Sequence, residues 1–189
     1  MPRPPVLPVI DWKKVFDSGI DYFAWIAGAE NKDHAIAMET AVKGQKLDAQ
    51  TVAYLGALPR PVYVVAVAED WCGDVVRHVP VLQRLAQTAP QLKVRYITRQ
   101  QHPDVFVRFL TNGGEAIPKF IFLSEQFTEC GSWGPMPGDC RELIARGKAC
   151  GDVGAARKKV SALYEMDAEK RTVVNELLHL IDTACCTAP

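Results

Sequence analysis

The sequence predicts an α/β protein in which helices flank a central mixed β-sheet, with an N-terminal helical extension and a C-terminal helical segment. The first observation is that residues 60–150 alternate apolar, β-branched runs with amphipathic runs of helical period. The second is that residues 1–59 carry apolar side chains at helical steps only. Strands that alternate with helices predict parallel strands covered by helices on both faces. We therefore expect three parts: 1–59, 60–150 and 151–189.

The N-terminal extension is predicted to form helices that pack on the core as a structural cap. Its helical patterns cover residues 11–27, 33–43 and 47–58, with an interruption of the first at Gly19. We expect Asp33 and Asp48 to cap the second and third helices, because their carboxylates accept hydrogen bonds from first-turn amides. Pro59 and Pro61 then end the helical part.

From Pro61 onward, strands and helices are predicted to alternate. The predicted strands cover 61–68, 92–98 and 117–123, with a hairpin partner at 125–132. The predicted helices cover 74–88, 103–110 and 138–147, and residues 155–182 form one long helix or two. The first strand is almost continuously apolar, as expected for a central strand that is buried on both faces. Pro118 lies at the start of the third strand, where a missing backbone donor is tolerated.

Composition argues against several classes of function. The chain has 189 residues, and Lys+Arg and Asp+Glu both total 22, so no charge imbalance indicates nucleic acid or an anionic membrane as a partner. No apolar run approaches the roughly 18–20 residues that span a bilayer. Residues 1–8 are broken by prolines and lack the apolar region of a signal peptide, so we expect a cytoplasmic protein. The sequence does not indicate an oligomeric state.

The cysteine pattern indicates free thiols rather than a disulfide framework or a metal site. The six cysteines are Cys72, Cys130, Cys140, Cys150, Cys185 and Cys186. The ten-residue steps among the middle three fit neither one helix face nor a Cys-x-x-Cys metal knuckle. No phosphate loop, dinucleotide fingerprint or nucleophile elbow occurs either. We therefore predict no metal site and no cofactor.

The candidate catalytic residue is Cys72, which lies between the first strand and the following helix in the stretch Trp71-Cys72-Gly73-Asp74-Val75. A cysteine at a helix start lies at the positive end of the helix dipole, which favours the thiolate. Arg77 or His78 would favour it further, whereas the nearby anion of Asp74 opposes ionisation. The sequence therefore predicts a nucleophilic or redox-sensing thiol or, alternatively, a cysteine retained on an inactive scaffold.

Three local features resemble the thioredoxin family. Trp71-Cys72-Gly73 matches the first three residues of the family's Trp-Cys-Gly-Pro-Cys motif. Pro80 lies eight residues beyond the cysteine, like the family's helix-kinking proline, and Ile117-Pro118 corresponds to its cis-proline loop. The resemblance covers about residues 60–150 and implies a thioredoxin-like fold with thiol–disulfide exchange chemistry.

The resemblance also implies a substrate-binding surface around the cysteine. Its expected members are Trp71, Gly73, Asp74, Ile117 and Pro118. Beside a cis peptide, the backbone of Ile117 is expected to pair with an extended substrate segment. Residues 69–74, together with Trp133-Gly134-Pro135, resemble a bacterial group of thioredoxin-like proteins.

The sequence departs from thioredoxins at the positions that resolve a mixed disulfide. Val75 replaces the second cysteine of the motif, and Ala66 stands where thioredoxins carry a buried acid. Asp74 replaces the motif proline, and Lys119 follows the cis-proline position where many relatives have threonine. We therefore expect that a mixed disulfide formed here needs an external thiol for its release.

Other polar side chains are interpreted as structural or solvated. Asp74 and His78 are four residues apart and form either a pair that tunes the thiol or an ordinary surface pair, which we favour. Residues 99–102 either contact a ligand or form a solvated loop, the interpretation that we favour. Trp133 is expected to cover the edge of the sheet. Arg77 is interpreted as a solvated helix residue, and no chemistry is assigned to His34 or His179.

Two functions remain open. In the first, the protein is a monothiol oxidoreductase: Cys72 attacks a disulfide, a peroxide or a glutathionylated thiol. An external thiol such as glutathione, which we favour, or a cysteine of the C-terminal tail then resolves the product. Its partners are then proteins or low-molecular-weight thiols and disulfides. In the second, the protein is a redox-inactive module that binds a peptide or protein through Trp71, Ile117-Pro118 and the N-terminal helices.

Overall fold

The runs of apolar and amphipathic sequence form the expected elements in a computed structural model, which describes residues 9–186. The strands are β1 (Val62–Val67), β2 (Leu92–Ile97), β3 (Lys119–Leu123) and β4 (Glu129–Trp133). The helices are α1 (Trp12–Ser18), α2 (Tyr22–Ala27), α3 (Lys32–Gly44), α4 (Ala49–Gly56), α5 (Gly73–Thr88), α6 (Pro103–Phe106), α7 (Gly138–Ala149), α8 (Val153–Met166) and α9 (Arg171–Cys185). The segment 1–8, on which the expected lack of a signal peptide rests, lies outside the described residues.

Strands β1–β4 form one mixed sheet in the order β2-β1-β3-β4. β1 and β2 are parallel, in a register that pairs Val62 with Leu92, and α5 lies between them in the chain. β3 is antiparallel to β1, with Lys119 opposite Val67, and β4 is antiparallel to β3. Nearly every side chain of β1 is buried, which explains why its sequence is apolar without alternation. The prediction of a mixed sheet flanked by helices is confirmed.

The first helical pattern is divided in two because the chain contacts the edge of the sheet just after Gly19. Between α1 and α2, the backbone of Ile20 exchanges two hydrogen bonds with Tyr96 of β2, at 3.1 and 2.8 Å. A Cβ on Gly19 would lie 2.8 Å from the Cβ of Arg95, so the absence of a side chain permits this close approach. The extension thereby protects an edge strand that would otherwise be open to pairing with another chain.

The caps of α3 and α4 confirm one sequence prediction and correct another. Asp48 caps α4 as expected, since its Oδ1 accepts from the backbone N–H of Thr51 at 2.7 Å. The prediction that Asp33 caps α3 is wrong: the cap is Asn31, whose Oδ1 accepts from the backbone N–H of His34 at 3.0 Å. The helix begins earlier than its apolar pattern does, and Asp33 lies within the first turn.

One hydrophobic core joins the sheet to both helical ends of the chain. Trp12 of α1, Met38 of α3 and Leu177 of α9 pack in the same buried cluster as the strands. α7 and α8 pack mainly against each other, with Ala156 and Val160 as the buried residues of α8. Helices α1 and α3 therefore share one hydrophobic core with the sheet.

The C-terminal pattern forms two helices, α8 and α9. Lys170 separates them in a left-handed conformation, with φ of 56°. The carboxylate of Asp167 accepts hydrogen bonds from the backbone N–H groups of Arg171, at 2.7 Å, and Thr172, at 2.9 Å. These bonds satisfy first-turn amides of α9 and fix the position of the break.

Two other predicted elements are shorter than their sequence patterns. α6 ends at Phe106 and continues as a single 3₁₀ turn over Val107–Phe109, instead of a helix to residue 110. β4 begins at Glu129, instead of residue 125, because Ser124 N–H donates to the carbonyl of Thr128 and closes a turn there.

Candidate functional site

Cys72 lies at the N-cap position of α5, at the junction that the motif predicts. Its carbonyl accepts the first helical hydrogen bond, from Val76 N–H at 3.0 Å, but its side chain caps no amide of the helix. The half-buried thiol donates instead to the carbonyl oxygen of Ile117, with Sγ at 3.5 Å. The thiol therefore lies between the positive end of a helix and a single backbone acceptor.

The acceptor belongs to the loop before β3. The Ile117-Pro118 peptide bond is cis, as the resemblance implies. Both residues are buried, and Ile117 N–H makes no backbone hydrogen bond with any other residue in the range 9–186. The other predicted contact residues are more accessible, since Trp71 and Gly73 are exposed and Asp74 is half-buried. Ile117 and Pro118 form the floor beneath the thiol.

Trp71 is held in place by Glu69 of the same loop and by Arg99 of the loop after β2. Its ring is 55% exposed, and its Nε1–H donates to Oε2 of Glu69 at 2.7 Å. The guanidinium of Arg99 lies 5.3 Å from the centre of the ring and also pairs with Glu69, Nε to Oε1 at 3.2 Å. Burial alone would raise the pKa of Glu69, but the hydrogen bonds from Arg99 and Trp71 outweigh it and hold that pKa below its usual value.

The solvated loop that the sequence predicts at 99–102 is partly exposed, and it also forms a structural connection. Besides the Arg99–Glu69 pair, Gln101 Nε2 donates to the carbonyl of Ser18 at 3.0 Å. His102 Nε2 and the hydroxyl of Ser18 are joined by a hydrogen bond of 2.7 Å. These contacts span about 30 and 80 residues of sequence, a range over which local patterns carry no signal.

The N-terminal extension fixes the other side of the motif loop. Oδ2 of Asp70 accepts from the backbone N–H of Asn31 at 2.7 Å, at the start of α3. His34 Nδ1 donates to the carbonyl of Asp70 at 2.6 Å. The sequence assigned no chemistry to His34, and its role in the structure is this anchor. The loop before Cys72 is therefore attached to both β2 and α3.

The two groups that release a mixed disulfide in thioredoxins are replaced here by side chains of the hydrophobic core. Val75 and Ala66, which stand where thioredoxins carry the second cysteine and the buried acid, are both fully buried among apolar side chains. Within residues 9–186, no disulfide bond joins any of Cys72, Cys130, Cys140, Cys150 and Cys185. Cys185 of the tail is buried, with its Sγ 4.0 Å from the hydroxyl of Tyr54 on α4.

His78 is a buried residue, so the favoured prediction of a surface pair with Asp74 is wrong. Its ring is only 1% exposed, and Nε2 is hydrogen-bonded to the hydroxyl of Tyr164 on α8 at 3.2 Å. Nδ1 has no partner among the described residues. Burial, together with the positive charges of Arg77 and Lys170, lowers the pKa of His78 to about 3. The ring is therefore neutral near pH 7.

Asp74 and Arg77 face the same side of α5 as His78. Burial raises the pKa of Asp74, partly opposed by Arg77. The Arg77 guanidinium lies 4.0 Å from the ring centre of Tyr164. The charge of Asp74 contributes to a raised pKa of both Tyr164 and Cys140, after burial as the main cause. Asp74 thus interacts with α7 and α8.

Trp133 is structural, as expected. It is buried, stacks on Phe120 with ring centres 5.3 Å apart, and donates from Nε1 to Oε2 of Glu176 at 2.5 Å. Its ring also lies 5.2 Å from that of His78.

Two further observations on the described residues concern a metal site and a membrane-spanning helix. Across residues 9–186, no cluster of three or more His, Cys, Asp or Glu side chains is arranged to hold a metal ion. Within the same range, every helix is too short or too polar to cross a membrane.

Comparison with known proteins agrees with the fold. A family model described as thioredoxin matches residues 22–153, which include α2–α4 as well as the sheet. No curated protein matches the chain. A crystal structure of a protein of unknown function from Pseudomonas aeruginosa is similar, with 17% identity, a TM-score of 0.70 and coverage of 92% of this chain and 98% of that chain. An HIV 4E10 epitope scaffold is similar with 19% identity, a TM-score of 0.63 and coverage of 82% and 98%. Because the family model matches more than half of its residues, the chain belongs to the thioredoxin family.

Proposed function

We propose that this protein is a monothiol thiol–disulfide exchange protein in which Cys72 is the nucleophile. The observation that carries the proposal is the position of Sγ: half-buried at the N-cap of α5, next to the carbonyl of Ile117, on the residue that follows the exposed Trp71. A helix N-terminus favours a thiolate over a thiol. In the resting state the thiol donates to the Ile117 carbonyl, and its proton passes to solvent when the thiolate forms.

The proposed exchange has two steps. The Cys72 thiolate attacks one sulfur of a disulfide, forms a mixed disulfide and releases the other sulfur as a thiolate. A second, external thiolate then attacks the substrate sulfur of the mixed disulfide and restores the Cys72 thiolate. The net result is a new disulfide between the substrate and the external thiol, with no change in the oxidation state of the protein.

The buried positions of Val75 and Ala66 support the need for an external thiol. An internal release requires a second thiol within a turn of the helix and a group that takes its proton. Both positions carry hydrocarbon that belongs to the core, so neither function is present there. Glutathione or another small thiol fits this requirement. We accordingly propose a reducing compartment such as the cytoplasm, supported by Cys72, Cys130 and Cys140, which form no disulfide within the described residues.

Burial of the loop floor favours a small disulfide over an extended protein segment. A strand added at Ile117 needs the backbone of that residue to be accessible, and both Ile117 and Pro118 are buried. Trp71 and Gly73 leave the approach to Sγ open from the surface. We also propose that the protein belongs to the bacterial group of thioredoxin-like proteins that its Trp-Cys-Gly-Asp motif resembles.

A binding module is the second candidate function, and the fixed ring of Trp71 is the observation that favours it. Glu69 and Arg99 hold an exposed aromatic ring in one orientation, which lowers the entropy lost when a partner binds. Next to the ring, a groove of about 350 Å³ is lined by Ile20, Trp25 and Ala29 among other residues. In this function, Cys72 is incidental.

The rate of alkylation by iodoacetamide distinguishes the two functions. If Cys72 is the nucleophile, it reacts in the native protein at pH 7 at least about tenfold faster than Cys150, an exposed cysteine on the same chain. In denaturant, where the helix is lost, the two rates become equal. Site-specific rates come from mass spectrometry of digested samples.

Two outcomes would oppose the proposal. Native Cys72 that reacts no faster than Cys150 has no enhanced reactivity, and the first function is then wrong. If a Cys72→Ser variant also retains binding of a captured partner that Trp71→Ala loses, the binding module is the correct function.

A further inference from the structure

A second polar groove lies where β3, β4 and α7 meet, and its centre is the side chain of Lys119. The groove has a volume of about 440 Å³. Its polar lining comes from Thr111, Asn112, Lys119, Ser132, Arg141 and Glu142. None of these residues has a role in the exchange reaction proposed for Cys72.

Lys119 is a buried cation. Its side chain is 6% exposed, and its ammonium group donates to the hydroxyl of Thr111 at 2.5 Å and to the carbonyl of Gly134 at 2.8 Å. An ammonium group has three donors, and the third has no hydrogen-bond partner in the part of the chain that the structure describes. A buried charge with an unused donor is unfavourable unless a ligand or solvent compensates it.

Arg141 of α7 brings a second cation to the same carbonyl. Its Nη1 donates to the Gly134 carbonyl at 3.3 Å and to the Met136 carbonyl at 3.1 Å. Across residues 9–186, neither Lys119 nor Arg141 has a carboxylate ion-pair partner. Burial, together with the charge of Arg141, lowers the pKa of Lys119 to about 8, which is the expected sign for two uncompensated cations in proximity.

The carboxylates around the groove are engaged elsewhere. Glu142 on the rim pairs with Arg146. Glu176 accepts from the backbone N–H of Gly138 at 2.8 Å and from Trp133. The N-terminus of α7, which starts at Gly138, also borders the groove, and Glu176 occupies its first amide.

We propose that this groove binds an oxyanion, the phosphate or carboxylate group of a ligand, between the ammonium of Lys119 and the guanidinium of Arg141. The anion neutralises the two cations, takes the third donor of Lys119 and accepts from the free donors of Arg141. The hydroxyl of Ser132 and the amide of Asn112 lie on the same lining and complete the polar surface. Lys119, which replaces the threonine of many relatives, thereby acquires a function of its own.

Titration followed by amide NMR tests this proposal. Inorganic phosphate and acetate are added in separate arms to ¹⁵N-labelled protein at constant ionic strength, with sodium chloride as the reference. We expect saturable shifts of the amides of Gly134, Gly138 and Ser132. Saturation with phosphate alone identifies a phosphate site, and saturation with acetate as well identifies a site for carboxylates too.

The variants decide whether the two cations hold the anion. We expect Arg141→Gln and Lys119→Met each to weaken the phosphate affinity by at least about tenfold, because each removes a charge-assisted hydrogen bond. Lys148→Gln, an exposed residue at the end of the same helix, leaves the affinity unchanged. Arg141→Gln keeps the test valid even if Lys119→Met fails to fold.

Shifts that never saturate, or equal affinity in Arg141→Gln and the wild type, would overturn the proposal. Unchanged phosphate binding in Cys72→Ser separates this test from that of the exchange reaction.

Discussion

Burial of His78 predicts a loss of stability in mild acid that one residue controls. An unfolded histidine has a pKa of about 6.5, whereas the folded pKa of His78 is about 3. Because the folded pKa is depressed, the unfolded chain binds the proton more tightly, and stability falls as the pH decreases from about 6.5 toward about 3. Above pH 6.5 this contribution is fully present. Between pH 7 and pH 5 the linkage relation gives a loss of about 2 kcal/mol from this single ring.

Urea unfolding, followed by tryptophan fluorescence at pH 7, 6 and 5, measures this loss as a change in the free energy of unfolding. A His78→Gln variant keeps a polar side chain that can bond Tyr164 but cannot be protonated. We expect the variant to lose about 2 kcal/mol less than the wild type over this pH range. The exposed His179 provides a matched control, and His179→Gln should behave as the wild type.

Other titrating groups do not remove the expected difference in stability loss between the wild type and His78→Gln. The pKa of Asp74 is raised by burial, so its protonation opposes the loss, but this contribution is common to wild type and variant. Equal losses of stability in wild type and His78→Gln would show that the ring is accessible to protons in the folded state, and the structural reasoning would then be wrong.

Two further predictions concern stability. Asn31→Ala removes the cap of α3 and should lower the free energy of unfolding by about 1 kcal/mol, with Asp33→Ala as the near-neutral comparison; equal effects in thermal unfolding would contradict the assignment of the cap. Gly134→Ala should cost at least about 2 kcal/mol, because an added Cβ would lie 2.0 Å from the Pro118 oxygen at a φ of +117°. Gly73→Ala meets no atom within 4 Å and should leave the melting temperature nearly unchanged, so a similar loss in both glycine variants would be inconsistent with this geometry.

The sequence predicts elements well where one physical signal dominates. The continuous apolar run of β1 has only one stable environment, the centre of a sheet, and the motif at Cys72 fixes the junction with α5. Asp48 likewise has one nearby helix start to cap. In contrast, Asn31 and Asp33 both suit a cap, and local preference alone does not distinguish them.

The site itself depends on contacts that sequence patterns do not encode. Glu69 meets Arg99, and Asp70 meets His34, over separations of 30 and 36 residues. His78 has the spacing of a surface pair with Asp74, but α8 and Trp133 cover it. The burial of a polar residue is decided by elements far along the chain. The unusual Lys119 was the one signal in the sequence for the second groove.

The fate of a Cys72 mixed disulfide tests the central claim most directly. The protein is incubated with glutathione disulfide, separated from it, and followed by intact-mass and peptide mass spectrometry with and without added glutathione. The account predicts one glutathionyl group on Cys72 that persists without added thiol and is removed when glutathione is supplied, because Val75 and Ala66 leave no internal route of release. A Cys150→Ser variant should form the same adduct, and Cys72→Ser should not. Failure of Cys72 to form the adduct, or its spontaneous loss through an internal disulfide, would contradict the account.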